Sequence, residues 1–355
     1  MTGITSLDRV TMTLRHEEPD RVPCVPELCL PAIRTTRISY AEFCTNGKKL
    51  ARSLIAMWRR FKYDGITIDS DPWVLATGFG LEVRMKGNEA PRGVGSVVET
   101  EEDVDKLDIP DPHRHGRMPI WIEAANIIAK RVGKKVWIMG RADQGPFDLA
   151  AELRGIERFV IDLYRNPSLA HGLLRKTTEA GVEFAKAMYE TGVHMTAFGE
   201  SIGGPDFVSP KLYEEFAYPY EKEAIQELKR AGIPVSLHIC GAATPILTLM
   251  ADTGATILEI DQKVDIGEAK RLVGDKVTLM GNLDPTNVLF LGTPQKVEQE
   301  CRECVEKAGR GGGLILSSGC DVPMWTKFRN LDAMMRATKR YGTYPLELRN
   351  EPSKP

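Results

Sequence analysis

Short runs rich in Val, Ile and Leu recur along the chain, separated by stretches whose apolar positions repeat at helical spacing. Eight of these runs read as strands: RVPCVPEL (21–28), DGITIDS (64–70), KVWIMGR (135–141), HMTAFGE (194–200), VSLHIC (235–240), ATILEID (255–261), KVTLMGN (276–282) and GLILSSGC (313–320). Apolar strands alternating with amphipathic helices imply parallel βα units. Eight such units predict a single-domain α/β protein, a (β/α)8 TIM barrel over residues 1–345 with a polar C-terminal tail at 346–355. A doubly wound open sheet is the rival architecture. The stretch SPKLYEEFAYPYEKEAIQELKRAG reads as one helix, opened by a Ser-Pro pair and closed by Gly232. Residues 86–119, richer in Gly, Pro and charge, read as an excursion between barrel strands rather than a domain linker.

Composition narrows the partners. A formal net charge of -2 over 355 residues gives no basic surface for nucleic acid or anionic lipid, so neither nucleic acid nor a membrane is expected as a partner. The longest apolar runs are strand-sized, and the opening MTGITSLDRVTMTLRH carries charges where a secretory signal needs a continuous apolar stretch. A cytoplasmic protein is expected. Seven cysteines, an odd number scattered along the chain, suit reduced thiols or metal ligands better than a disulfide framework.

In such a barrel the C-terminal strand ends build the active site, and here they carry polar or ligating groups. His238 and Cys240 stand two apart on one strand and therefore point to one face. Cys320 ends the last strand, and barrel closure can bring it to the same place. One imidazole and two thiolates suit zinc, with a fourth position open for substrate or an exchangeable ligand. Glu200, ending a neighbouring strand, is the candidate for that position and for a catalytic role. Asp69, Arg141, Asp261 and Asn282 are candidates to hydrogen-bond a small polar substrate, the structural alternative being ion pairing or helix capping. Cys24, Cys29 and Cys44 read as small core hydrophobes, and the C-x-x-C at Cys301 and Cys304 as incidental spacing on a charged helix. The glycines of AGRGGGLIL precede a strand, whereas phosphate loops follow one, so no nucleotide site is expected.

The segments TSLDRVTMTLRHEEPDRVPC, FKYDGITID, VSPKLYEEFAYPY, HICG, MGNLDPTNVLFLGTPQKVEQEC and GLILSSGCDVP resemble the uroporphyrinogen decarboxylase superfamily from end to end. That resemblance implies a (β/α)8 barrel. The H-x-C pattern with a distant Cys resembles the zinc-dependent corrinoid methyltransferases within it, which implies zinc on His238, Cys240 and Cys320. It further implies methyl transfer between a small methyl donor or acceptor and the cobalt of a cobalamin. No separate segment of this chain is long enough for a corrinoid-binding domain, so the corrinoid protein is expected as a separate partner. Some demethylating relatives resemble a Glu, Glu, His zinc pattern instead, which Glu200, Glu215 and His238 approximate. On that spacing an aryl methyl ether is preferred over a thiol, with an amine as a further candidate substrate. True decarboxylases carry an arginine pair in an RQAGRY context, where this chain has PAIRTTRISY with Arg34 and Arg37. A metal-free decarboxylase and a non-catalytic, zinc-stabilised binding barrel remain the alternatives.

Overall fold

Nine strands follow one another along the chain: β1 (Gly65–Ile68), β2 (Glu82–Arg84), β3 (Arg92–Val94), β4 (Trp137–Gln144), β5 (Met195–Glu200), β6 (Val235–Ile239), β7 (Ile257–Ile260), β8 (Thr278–Leu283) and β9 (Leu314–Ser318). The protein is seen in a computed structural model that describes residues 3–346. Of the tail expected at 346–355, residues 347–355 lie outside the described residues. Strands β1, β4, β5, β6, β7, β8 and β9 pair in that order as a seven-stranded parallel sheet, with helices in the connections. The short antiparallel ribbon of β2 and β3 lies within the connection between the first two sheet strands, near the excursion read from composition.

The eighth expected strand, 21–28, is not a regular strand, although it occupies the closing position. Val25 N donates to Leu316 O, Leu316 N donates to Pro23 O, and Asp64 N donates to Cys24 O. The segment thus joins β9 to the residue preceding β1. Pro23 and Pro26 have no amide hydrogen, so the ladder is interrupted there and only isolated bridges form.

Two apolar layers follow from strand alternation. Met139, Met195, Ala197, Ile257, Met280 and Ile315 turn inward and pack with Val25, while Val10, on the helix Ser6–Thr13, joins them. Outward residues such as Ile138, Phe198, Leu237 and Leu279 pack in the larger core with the surrounding helices. Below the inner layer, the fully buried Asp64 carboxylate accepts from Ser6 Oγ, Arg9, Arg21 and Cys24 N, tying the N-terminal segment to the base of β1.

The helix expected over SPKLYEEFAYPY continues through a wider turn. Pro210–Leu212 is α-helical with Ser209 Oγ accepting from Leu212 N, Tyr213–Ala217 forms a π turn, and Tyr218–Arg230 resumes the α-helix. Pro219 has no N–H for the preceding turn, which accounts for the wider hydrogen-bond ring there.

Candidate metal centre

Register places the ligands. His238 on β6 pairs with Gly199 on β5 and with Glu259 on β7, which puts it on the inner face, and Cys240 continues from the strand end. Cys320 follows β9 across the barrel. Cys240 Sγ lies 3.1 Å from His238 Nε2 and 3.9 Å from Cys320 Sγ, and the ligand atoms of all three residues lie within 4.8 Å of one another. A tetrahedral zinc with Zn–S of about 2.3 Å and Zn–N of about 2.0–2.1 Å sets its sulfurs about 3.8 Å apart and a nitrogen–sulfur pair about 3.5 Å apart. The observed separations of 3.9 and 3.1 Å match that frame, so the three residues fit the metal.

The surroundings also suit a cation. His238 Nδ1 lies 3.0 Å from Glu259 O, so Nδ1 carries the proton in a neutral ring and Nε2 is left facing the sulfurs. Burial disfavours the imidazolium, yet the hydrogen bond and charge of Cys320, with Glu27 and Glu259, outweigh it and carry His238 up to about 10 in the metal-free protein. A proton fills the role there that a divalent metal fills better, since a metal also neutralises the thiolates.

Beside the triad, a cavity of about 160 Å³ opens among the strand ends. Its floor is organised by Arg141 on β4, whose Nε lies 3.0 Å from Asp69, and whose Nη2 lies 2.8 Å from Glu259 and 3.3 Å from Glu27. Ser236 Oγ donates to the other oxygen of Glu259. Burial, together with the charge of Asp321, pushes Asp69 up to about 7 despite Arg141, and burial likewise raises Glu27.

Of the residues singled out from sequence, Asp69 and Arg141 line this cavity with His238, Cys240 and Cys320. Asp261 and Asn282 do not. The Asp261 carboxylate accepts from Gly241 N and Lys263 N, which holds the turn after Cys240. Asn282 Nδ2 donates to Asp261 O and Val264 O, fixing the loop after β7. Their placement is that of backbone-holding groups rather than substrate ligands.

Glu200 and Glu215 are not brought to the triad either. Glu200 pairs in register with Ile239, shares the outer face with Phe198, and accepts from Phe147 N at 3.1 Å and Asp148 N at 2.7 Å. The helix Pro146–Arg154 has Gly145 at its N-cap with no side chain to cap it, and Glu200 supplies the missing acceptor from the next strand. The approach is close enough that a Cβ on Gly145 would stand 2.2 Å from Glu200 Oε1. Glu215 lies exposed on the π turn. The expected fourth ligand therefore corresponds to neither glutamate.

Sequence reading passed over Glu27 and Glu259. Both signals were present: a lone acidic residue within an apolar run, at the parity of a neighbouring inward residue, has to meet a charge inside the barrel. Cys301 and Cys304 are buried in the helix Pro294–Ala308, away from the triad, as core residues.

A parallel barrel with an imidazole–dithiol set at its C-terminal mouth is the class of protein these features define. The family profile described as Uroporphyrinogen decarboxylase matches residues 5–341, and the chain belongs to that family. The methylcobamide:CoM methyltransferase MtbA of Methanosarcina acetivorans is 29% identical over 345 residues, covering 96% of this chain and 99% of that protein. A uroporphyrinogen decarboxylase of Myxococcus xanthus is 30% identical over 322 residues, covering 87% of this chain and 89% of its own. A solved structure of a methyltransferase from Methanosarcina mazei aligns with a TM-score of 0.87 at 26% identity, over 95% of this chain and 99% of that one. Relatives named for two different reactions thus share the fold.

Proposed function

We propose that the protein is a zinc-dependent methyltransferase that moves a methyl group between a small substrate and the cobalt of a corrinoid carried on a separate protein. The observation that carries this reading is the convergence of His238, Cys240 and Cys320 at the barrel mouth. Relatives named as methylcobamide:CoM methyltransferases, aligned over nearly the whole chain, support it. Zinc held by these three residues would act as a Lewis acid toward the heteroatom of a thiol, ether or amine.

The chain's own groups supply the rest. The Glu259 carbonyl orients the imidazole of His238, and Asp261 anchors Gly241, so the ligand-bearing turn is held before substrate arrives. Arg141 and its carboxylates form a rigid polar floor. The cavity lies among the strand ends, so the corrinoid partner must approach that face for cobalt and substrate atom to align.

The decarboxylase alternative finds less support. A cavity of about 160 Å³ is small beside the roughly 300–1,000 Å³ of sites for drug-sized ligands, and a porphyrinogen is larger still. Arg34 is engaged elsewhere: its Nη1 donates to Met324 O and Thr326 O, and its guanidinium stacks 4.5 Å from the Phe328 ring centre. The Glu200 and Glu215 spacing that favoured an aryl methyl ether has no counterpart at the metal centre, so the choice among ether, thiol and amine falls to the charge of the cavity.

Metal analysis of the purified protein, with methylcobalamin demethylation assayed against thiols, phenols and amines, tests the reading. Stoichiometric zinc with methyl transfer to at least one class is the expected result. Decarboxylation of uroporphyrinogen by metal-free protein, with no methyl transfer, would overturn it.

A further inference from the structure

The cavity beside the triad is lined by many more acidic than basic groups. Glu27, Asp69, Asp143 and Asp321 line it, and Glu259 stands behind Arg141. Arg141 is the one arginine or lysine lining the cavity among the described residues, and Glu27, Asp69 and Glu259 already share its guanidinium. Asp71 also lines the cavity, but both its oxygens take Arg117 at 2.6 Å, so that pair is neutral. A divalent metal on two thiolates adds no net charge. An anionic substrate tail would therefore find no free cation to receive it. A cation, by contrast, would favour the ionised form of Glu27, Asp69 and Asp143, whose pKa values burial raises above the ordinary carboxylate range.

Asp143 points the argument further. It is 3% exposed, adopts a left-handed φ of 66°, and sits where the β4–β5 register shifts. Leu75 N donates to its Oδ2 at 2.5 Å, while Oδ1 accepts no hydrogen bond among the described residues. Left-handed backbone at a residue other than glycine costs energy and is held in place by its surroundings, and a bulge re-aims the side chain it carries. Here the result is a carboxylate oxygen without a donor on a residue that lines the cavity. Tyr40 lines the same space, its hydroxyl held by donation to Ser70 O, and so adds an aromatic side chain to the lining. Carboxylates and an aromatic ring together recognise ammonium groups.

We propose that this cavity selects a small substrate with a cationic end, a protonated or quaternary amine, and discriminates against sulfonate or carboxylate tails. The inference rests on the reading of this cavity as the substrate end of a methyl-transfer site. Donation from an ammonium N–H, or close approach of its positive methyl groups, satisfies Asp143 Oδ1 and Asp69, while the reacting heteroatom lies toward Cys240 and Cys320.

Three thiols of matched length separate the possibilities: 2-aminoethanethiol, 2-mercaptoethanol and 2-mercaptoethanesulfonate, with cationic, neutral and anionic tails. Their affinities for the zinc-loaded protein are measured calorimetrically, corrected for each thiol's own ionisation, with methylcobalamin demethylation followed in parallel. The cationic thiol should bind at least about tenfold more tightly than the sulfonate, the scale set by one uncompensated charge at contact in a partly screened site. Asp143→Asn, which keeps the acceptor for Leu75 N and tolerates the left-handed backbone, should narrow that ratio while leaving 2-mercaptoethanol affinity within a factor of about two. Asp69→Asn should narrow it as well. Tighter binding of the sulfonate, or no detectable binding of the cationic thiol, overturns the inference even if methyl transfer proceeds. The expected order of binding in a protein that demethylates methylcobalamin with none of the substrate classes overturns the methyl-transfer reading and leaves the charge selectivity standing.

Discussion

Glu200 and Asp148 each hold the backbone that carries the other. Asp148 N donates to Glu200 Oε2 at 2.7 Å, and the Asp148 carboxylate accepts from Ile202 N and Gly203 N at 3.0 and 3.2 Å, with Ser201 N a further donor. This reciprocal clasp fixes the loop after β5 against the start of the helix Pro146–Arg154. It gives Glu200 backbone donors for both carboxylate oxygens at the outer side of the barrel, away from His238, Cys240 and Cys320.

Glu200→Ala is accordingly expected to destabilise the fold without emptying the metal centre. Losing the acceptor for Phe147 N and Asp148 N leaves buried donors unpaired, at a cost of about 1–3 kcal/mol. Chemical denaturation should register that loss, and zinc content should stay at the wild-type level. Loss of zinc from a folded Glu200→Ala protein would show that the glutamate reaches the metal.

Cys240→Ser and Cys320→Ser should each lose most of the bound zinc, since a serine hydroxyl is a poor ligand at neutral pH beside a thiolate. Metal analysis after dialysis checks this, and full retention in both variants would disprove the site. His238→Ala should behave in the same way.

The cluster at the other end of the barrel predicts a pure stability effect. Asp64 is fully buried between Arg9 and Arg21, so Asp64→Ala leaves the largely buried Arg21 guanidinium without its anion and Arg9 with Asp20 alone. Breaking such a pair costs about 3–5 kcal/mol. The midpoint of unfolding should fall accordingly, with zinc stoichiometry unchanged in the folded fraction.

Glu221 predicts a pH dependence. Burial raises its pKa to about 8, against the lowering effect of the Tyr213 hydroxyl, which donates to it at 2.6 Å. The folded protein therefore holds a proton that the unfolded chain releases near its ordinary value of 4.5. Between those two pH values the folded state binds more protons than the unfolded one, so this group's contribution to stability falls as pH rises. Glu221→Gln cannot titrate, and its stability relative to wild type should improve from pH 5 to about pH 8. A constant difference across that range in denaturant titrations would count against the raised pKa.

The alternation of apolar runs with helical stretches determined the barrel, because strands buried on both faces and joined by helices have few other ways to hide their surfaces. Seven of the eight runs form sheet strands, and 21–28 takes the remaining place while its prolines prevent a regular ladder. The meeting of His238 with Cys240 was legible too, since residues two apart on a strand share a face whatever the register. Glu200 was not legible. Its side of the sheet depends on Gly199, not Glu200, pairing with His238, and only the packed neighbouring strand establishes that register. Asp261 and Asn282 end strands in sequence, but loops folding back over them turned their polar groups to backbone amides and carbonyls. Glu27 and Glu259 became parts of one charged floor only when closure of the barrel brought residues far apart in the chain to a single guanidinium, Arg141. Local pattern sets which elements form because periodicity is a property of neighbouring residues. Which side chains meet is decided by register and closure, which exist only once distant strands have paired.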